Sequence, residues 1–243
     1  MRSATPGHQK SGKVYLLGAG PGAADLITVR GARILARADA VLYDALVTEE
    51  MLELCPQAVK ISVGKRSGQR STAQAVINQT LVECAKKYHL VVRLKGGDPM
   101  MFGRADEELR ALEAEGIEVE IIPGITTALA AAASTKQPLT KRGVARSVAF
   151  FTSSTAPGHP EQTTLPDCDT LIQYMGGKEA VTTAQKLLAQ GRPATLPVVV
   201  IENCSRANER VLRLKLGELE RGIAECQGPV LVMIGAAMAP RDK

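Results

Sequence analysis

The chain has 243 residues, of which 45% are hydrophobic and 23% are charged, and its 30 basic residues outnumber its 25 acidic residues to give a net charge of +5. This balance is typical of a globular protein with one large or two medium domains. The apolar runs are too short to span a membrane, and the polar stretch 1–12 lacks the apolar core of a signal peptide, so we expect a cytoplasmic protein.

Cysteine, histidine and aromatic usage excludes several classes of site. The five cysteines are widely spaced and form no CxxC pair, which predicts reduced thiols rather than a disulfide framework or a metal site. The three histidines are scattered, so we expect no zinc. With three Phe, four Tyr and no Trp, the chain has few side chains for stacking bases. The positive charge therefore favours a small polyanionic substrate over a nucleic acid.

Strands and helices alternate along the first half. Aliphatic runs predict strands at 14–17, 40–43, 59–63, 90–95 and 117–122. Apolar residues at helical spacing predict helices at 28–38, 48–54, 71–87 and 106–115. Such alternation indicates a largely parallel sheet that is covered on both faces.

The second half repeats this pattern less regularly. We predict strands at 147–151, 170–174, 197–201, 210–214 and 229–234, and helices at 179–190 and 216–225. The stretch 152–168 contains three prolines and no periodicity, which predicts a long loop. The alanine-rich segment 128–133 marks the boundary between the halves. We therefore predict two α/β domains with mostly parallel or mixed sheets, at 13–133 and 147–238, joined by a linker at 134–146, with a binding cleft between them.

The turn after the fourth predicted strand is the strongest candidate binding site. It lies within 91–104, which reads VVRLKGGDPMMFGR. Gly96 and Gly97 allow a ligand to approach bare backbone, and Pro99 biases Asp98 away from helical geometry. Ligands of open α/β sheets bind outside the carboxyl ends of the strands. The same residue types also occur in plain connecting turns, so this turn alone leaves both interpretations open.

A dinucleotide site is the rival interpretation. The segment 18–23, GAGPGA, satisfies the GxGxxA pattern after a strand, and Asp44 ends the second predicted strand, near where such folds have a ribose-binding acid. However, Pro21 removes a backbone N–H from the turn that should bind pyrophosphate. A dinucleotide site at 18–23 also gives no role to the second glycine turn at 96–98. NAD is therefore the weaker alternative.

Eight motifs give the chain a family resemblance. They are GAGPG (18–22), YDALV (43–47), VGKR (63–66), VVRLKGGDPMMFGR (91–104), PGITTA (123–128), PLTKRGVARSV (138–148), YMG (174–176) and VIENCS (200–205). Together they resemble the tetrapyrrole methylases. The resemblance implies two α/β domains and a homodimer, and the scattered cysteines and histidines predict no metal. The resemblance also implies methyl transfer from S-adenosylmethionine to C2 and C7 of uroporphyrinogen III, giving precorrin-2 for sirohaem, cobalamin or haem d1. Other family branches methylate later corrin intermediates, rRNA ribose or a modified histidine.

The resemblance also implies a site for the methyl donor. Its residues are Pro21, Gly96, Gly97, Asp98, Met101, Thr126, Thr127, Met175 and Cys204. Open backbone, small hydroxyls and adaptable methionines suit a sulfonium nucleoside, although methionines at such positions are more often core residues. Cys204 stands where family members commonly have glycine, which puts a local backbone contact with the donor in doubt.

The substrate has eight carboxylates, which arginine can bind through two parallel hydrogen bonds. The residues implied to bind it are Arg104, Glu107, Lys141, Arg142 and Arg146. Among the catalytic candidates, Asp44 is the simplest proton acceptor. Lys65 could return a proton or hold a carboxylate, and Arg104 orients the substrate. The alternative interpretations are a turn cap for Asp44 and a solvated basic loop for 141–146.

Overall fold

A computed structural model of the protein describes residues 11–64, 74–153, 164–223 and 225–240. The chain divides into two compact units, the first ending at Thr126 and the second beginning at Thr127. Each unit contains one five-stranded sheet with helices, which confirms the predicted fold class. The division falls before the alanine-rich segment, whereas the sequence suggested a boundary after it, at 133. Among the described residues, no helix has the length and apolar character needed to cross a membrane.

The first unit contains a parallel sheet with the strand order β3-β2-β4-β1-β5. Its strands are β1 (Lys13–Gly18), β2 (Ala40–Tyr43), β3 (Val59–Ser62), β4 (Leu90–Lys95) and β5 (Val119–Ile122). Its helices are α1 (Val29–Leu35), α2 (Glu49–Leu52), α3 (Gln74–Lys87) and α4 (Ala105–Ala114). Each corresponds to a predicted element, and the bounds differ by at most a few residues.

The core of this unit has two apolar layers, because successive side chains of a strand point to opposite faces. Leu16 packs with Leu42, Leu81 and Leu112 on one face of the sheet. The next residue, Leu17, belongs to the second layer, with residues such as Leu35, Leu94 and Ile122. Full burial of one such side chain stabilises the fold by about 1.5–3 kcal/mol. The aliphatic runs of β1 and β4 thus fix the middle of the sheet.

The second unit has a mixed sheet with the order β6-β7-β10-β8-β9, in which only β6 and β7 are parallel neighbours. Its elements are α5 (Thr127–Ser134), β6 (Val148–Thr152), β7 (Thr170–Tyr174), α6 (Gly176–Ala189), β8 (Pro197–Glu202), β9 (Arg210–Lys215), α7 (Leu216–Leu219) and β10 (Val230–Gly235). The alanine-rich segment forms α5 instead of a simple boundary. The prediction for 216–225 was too long, because Gly222 has a φ of 95°, which a helix cannot accommodate.

Asp169 ties the starts of the two parallel strands together. Its Oδ2 accepts hydrogen bonds from Arg146 N at 2.9 Å, Ser147 N at 3.0 Å and Ser147 Oγ at 2.8 Å. The backbone N–H of Arg146 and the groups of Ser147 favour the charged form and hold the pKa of Asp169 below its usual value. The residue before β7 therefore fixes the residues before β6 through a carboxylate.

We expect Asp169→Asn to lower the free energy of unfolding at neutral pH, because the neutral amide is a weaker acceptor than the carboxylate. A depressed pKa in the folded state contributes stability that is present above the unfolded pKa and is lost as the pH falls through the folded pKa. The difference in urea midpoint should thus be constant above about pH 5 and shrink below about pH 4.

The control is Asp106→Asn, which removes an exposed ion pair with Arg110. Such pairs contribute about 0–1 kcal/mol, so this variant should change the midpoint little. A wild-type advantage over Asp169→Asn that stays constant down to pH 3 would contradict the expectation.

Candidate active site at the carboxyl edge of the first sheet

The carboxyl ends of β1 and β4 meet in the middle of the first sheet. The chain leaves β1 toward β2 on one side and leaves β4 toward β5 on the other, as the strand order requires. Open α/β sheets bind ligands in the crevice at such a switch point. The segments that follow these two strands are 18–22 and 96–98. The topology thus brings together the two glycine turns that the sequence analysis identified separately.

The two glycine turns are hydrogen-bonded to each other. Gly97 N donates to Gly20 O at 2.6 Å, and Gly20 N donates to Gly97 O at 3.1 Å. Gly97 has a φ of 71°, and a Cβ placed on it would meet no atom within 4 Å. The Gly97 backbone is therefore held by Gly20 and bordered by open space, which is the geometry that a ligand-contacting backbone needs.

This bridge argues against a pyrophosphate site at 18–22. In dinucleotide folds, backbone N–H groups of the first turn and the start of the following helix bind the pyrophosphate. Here the Gly20 N–H is already bonded to Gly97 O, and Pro21 is buried and has no N–H. The helix α1 begins only at Val29, and the strand order differs from the 3-2-1-4-5-6 order of those folds. These features leave the segment 18–22 without the backbone geometry that NAD binding requires.

Gly124 and Asp98 add the turn after β5 to the site. A Cβ on Gly124 would lie 2.3 Å from Gly97 O and 2.8 Å from Gly18 Cα, so three backbone segments pack closer than a side chain allows. Asp98 Oδ2 accepts a hydrogen bond from Gly124 N at 2.9 Å, and its Oδ1 accepts one from Met100 N at 2.9 Å. Asp98 therefore holds the turn after β4 against the turn after β5, and half-buried Thr126 lies two residues beyond Gly124.

Asp44 is half-buried directly after β2. Its Oδ1 accepts a hydrogen bond from Leu46 N at 2.9 Å, and its Oδ2 accepts a longer one from Gly96 N at 3.4 Å. The carboxylate thus caps its own turn, as the alternative interpretation held, and also lies next to the 96–98 turn. Lys65, the second predicted catalytic residue, lies outside the described residues.

Arg104 and Glu107, both predicted to bind substrate, bind each other. Arg104 Nε and Nη2 donate to Glu107 Oε1 and Oε2, each at 2.7 Å. The two side chains are 57% and 45% exposed, so water screens the pair and it contributes little to stability. A carboxylate ligand can therefore compete with Glu107 for this guanidinium.

Backbone strain is concentrated in the motifs of the family resemblance. Six non-glycine residues in the described ranges have positive φ: Phe102, Arg104, Lys136, Met175, Asn203 and Ser205. All except Lys136 lie within 91–104, 174–176 or 200–205. A left-handed non-glycine residue costs on the order of 1–3 kcal/mol, and such residues cluster at functional sites. The strain supports a functional interpretation of these motifs, and no residue pattern in the sequence reveals it.

The remaining predicted donor-binding residues belong to the second unit. Tyr174 Oη accepts a hydrogen bond from Ala128 N at 3.3 Å, which joins the end of β7, next to Met175, to the first turn of α5, where Thr127 lies. Met175 is 51% exposed, which is more than a core methionine would be. Burial raises the pKa of the Cys204 thiol to about 12, so this side chain is a neutral packing group. No group of three or more His, Cys, Asp or Glu within the described ranges could hold a metal.

A tight turn presents the predicted basic residues of the second unit. Lys141 and Ala145 exchange two backbone hydrogen bonds of 2.8 Å each, and Arg142 lies at the tip between them. The side chains of Lys141, Arg142 and Arg146 are exposed. This part of the structure is consistent with both earlier interpretations, a substrate-binding loop and a solvated loop.

Sequence analysis missed a buried ion cluster beneath the 96–98 turn. Glu108 is fully buried and binds both Arg93 and Lys95, which are nearly buried themselves. The signal was present in the strand sequence VVRLK, where two cations interrupt an otherwise aliphatic strand. Charged residues are almost never fully buried unless they are paired, so a buried strand with two cations predicts a nearby acid.

Comparisons with known proteins identify the family of the chain. Residues 13–220 match the family model described as Tetrapyrrole (Corrin/Porphyrin) Methylases. The chain is 43% identical over 232 residues to siroheme synthase 2 from Yersinia pestis (strain Pestoides F), and the match covers 94% of this chain and 49% of that protein. The chain thus spans about half the length of the curated relatives it matches.

Two solved structures have the same fold. The native form of uroporphyrin III C-methyl transferase from Thermus thermophilus superposes with a TM-score of 0.82 at 37% identity, covering 93% of each chain. The complex of the Thermus thermophilus enzyme with S-adenyl homocysteine gives a TM-score of 0.82 at 38% identity, again covering 93% of each chain.

We expect Gly124→Ala to lower the free energy of unfolding by about 1–3 kcal/mol, the usual cost of overpacking. The new methyl group would collide with Gly97 O, which is held in the bridge to Gly20. Urea unfolding followed by circular dichroism measures this change.

Gly177→Ala is the matched control, because a Cβ there would meet the nearest atom, Val230 Cγ2, at an ordinary 3.4 Å inside α6. Gly177 lies in the first turn of α6, where alanine gains less over glycine than the about 0.5–1 kcal/mol of a helix interior, so this variant should keep or slightly raise the stability. Equal effects of the two substitutions would contradict the close-packing explanation.

Proposed function

The chain belongs to the tetrapyrrole methylase family, and from that premise we propose that it is an S-adenosylmethionine-dependent C-methyltransferase acting on uroporphyrinogen III. It methylates C2 and C7 and thereby forms precorrin-2. The observation that supports this proposal most directly is the bridge between Gly20 and Gly97 at the switch point of the first sheet. The solved complex of a similar enzyme with S-adenyl homocysteine supports the choice of methyl donor.

The donor-binding surface proposed in the first unit lies at the carboxyl edge of the sheet. Gly97 offers open backbone there, and Asp98 is fixed by Gly124 and Met100 while each of its oxygens keeps lone-pair capacity for a ligand. Half-buried Met101 provides an adaptable apolar contact. These groups fit a zwitterionic nucleoside, whose sulfonium supplies the methyl group when it is bound. Roles for Pro21, Gly96 and Thr126, and for Thr127, Met175 and Cys204 of the second unit, stay predictions.

Catalysis in this proposal consists of alignment followed by removal of one proton. The pyrrole carbon is nucleophilic, so holding it in line with the methyl group supplies several kcal/mol of barrier lowering, within the ~7–11 kcal/mol available from positioning. Methylation makes the substituted carbon quaternary and leaves the ring cationic, and Asp44 accepts the proton that the adjacent methylene bridge then loses. Its two oxygens are oriented by the N–H groups of Leu46 and Gly96. Arg104 stays protonated and orients substrate, and the role of Lys65 stays a prediction.

Exposed arginines provide the proposed contacts with substrate carboxylates. Arg142 makes no hydrogen bond or ion pair with any other described residue, so its guanidinium is available to a ligand. Arg146, exposed in the same loop, and Arg104, whose partner Glu107 is exposed, add to this set. The name siroheme synthase among the relatives supports sirohaem as the downstream product. The homodimer, the cytoplasmic location and the absence of nucleic-acid, membrane and metal partners stay predictions.

The proposal predicts that the protein, given uroporphyrinogen III and S-adenosylmethionine, yields a tetrapyrrole with two added methyl groups, which mass spectrometry identifies. Calorimetry should show saturable binding of S-adenosylmethionine and S-adenosylhomocysteine and no binding of NAD. Saturable NAD binding without a response to the other two ligands would contradict the proposal and revive the dinucleotide interpretation.

We expect Arg142→Gln to raise the KM for the tetrapyrrole about tenfold, because a charge-assisted hydrogen bond contributes about 1.5–3 kcal/mol and solvent screening reduces that value here. Donor affinity should stay unchanged, and the wild-type KM should rise with ionic strength. Arg221→Gln, which removes an exposed arginine of the same unit without a proposed role, is the control. Parallel losses of donor and tetrapyrrole affinity in Arg142→Gln would indicate misfolding and would count against a substrate contact.

A further inference from the structure

A buried group of charges lies next to the turn at 96–98. Glu108 on α4 is fully buried, and it accepts hydrogen bonds from Arg93 Nε at 2.9 Å and from Lys95 Nζ at 2.6 Å. The side chains of Arg93 and Lys95 on β4 are only 5% and 4% exposed. Two cations therefore share one carboxylate where water is excluded, which requires the desolvation of three ions.

Folding stability does not explain the second cation. Arg93 also donates to Leu94 O at 3.1 Å, and with Glu108 it already forms a matched pair. Within the described ranges, Glu108 is the one hydrogen-bond acceptor of Lys95 Nζ. Replacement of buried ionic groups by apolar residues of similar volume is often neutral or stabilising. Lys95 therefore costs desolvation energy and leaves the cluster with an excess positive charge.

The chain connects the excess charge to the candidate proton acceptor. The backbone of Lys95 leads directly into Gly96, whose N–H donates to Asp44 Oδ2 at 3.4 Å. Burial, and next the charge of Arg93, hold the pKa of Lys95 below its usual value, although the carboxylates of Glu108 and Asp44 oppose this shift. The charges around Lys95 thus come from β4, α4 and the turn after β2, and they sum to zero only when Asp44 is ionised. Of the four groups, Asp44 alone is half-exposed and open to a ligand.

We propose that Lys95 is a positioning residue that acts through Asp44, with its buried ammonium, fixed by Glu108, attracting and orienting the Asp44 carboxylate beside the 96–98 turn. This inference rests on the proposed function, because it takes Asp44 as the proton acceptor. Methylation makes the substituted carbon quaternary and leaves the ring cationic. A C–H bond of the adjacent methylene bridge then breaks, its electron pair neutralises the ring, and the proton passes to an Asp44 oxygen. The cluster then has a net charge of +1, which favours transfer of that proton to water before the second methylation.

A double-mutant cycle of Asp44→Asn and Lys95→Met tests the coupling through the single-turnover rate of methylation, with the tetrapyrrole KM and the donor affinity measured separately. Lys95→Met should lower the rate about tenfold in the wild-type background and add no loss to Asp44→Asn. The two affinities should change less than about twofold. The urea midpoint of Lys95→Met should equal or exceed that of the wild type, because a matched pair remains buried.

Lys86→Met is the control, because it removes an exposed lysine that pairs with Glu115 at 2.7 Å, and it should leave the rate unchanged. An unchanged rate in Lys95→Met, equal fold losses in both backgrounds, or a lowered urea midpoint with loss of donor affinity would each overturn the inference. A wild-type protein that transfers no methyl group overturns the proposed function and this inference with it. Full activity of Asp44→Asn in an active wild-type background overturns the inference alone.

Discussion

Close backbone packing at the carboxyl edge of the first sheet determines the geometry of the candidate site. Where the turns after β1, β4 and β5 meet, a Cβ on Gly18 would lie 2.6 Å from Gly124 Cα, and one on Gly124 would lie 2.3 Å from Gly97 O. Only glycine fits at these positions. This contact lets Gly20 and Gly97 exchange hydrogen bonds and lets Asp98 reach Gly124. One side of Gly97 is held by Gly20 and Gly124, and the other side borders open space.

Several features that reduce stability collect around the same edge. Phe102 and Arg104 have left-handed backbone conformations in the loop after β4, and Lys95 is buried as the second cation on Glu108. A sequence under selection for stability alone would avoid such features, and proteins tolerate them mainly at functional sites. The two apolar layers that include Leu16 and Leu17 provide the stability that offsets these costs. The same strands thus carry the apolar core, which stabilises the fold, and the candidate site, which reduces its stability.

The sequence predicted most helices and strands well, because apolar periodicity and turn residues determine the backbone conformation over only a few neighbouring positions. The bounds of β2, β4 and β7 agree with the predicted ones. The alanine-rich segment was interpreted only as a boundary, although alanine has the highest helix propensity, and the helix α5 that it forms was not predicted. Long-range pairings were not predictable in the same way. The hydrogen bond between Asp98 and Gly124, and the choice of Glu108 as partner for both Arg93 and Lys95, depend on how the helices and strands pack.

The strand order has a consequence for how the protein is made. β1 leaves the ribosome before the strands that pair with it, because its register pairs Val14 with Val91 of β4 and with Val119 of β5. Its hydrogen-bonding edges therefore stay unsatisfied until the chain has been synthesised through β5, and such long-range parallel pairing is slow. An apolar strand with two free edges is the kind of segment that chaperones protect from aggregation. β1 thus gains its second neighbour only after β5 has been synthesised, and the bridge between Gly20 and Gly97 cannot form before β4 has been synthesised.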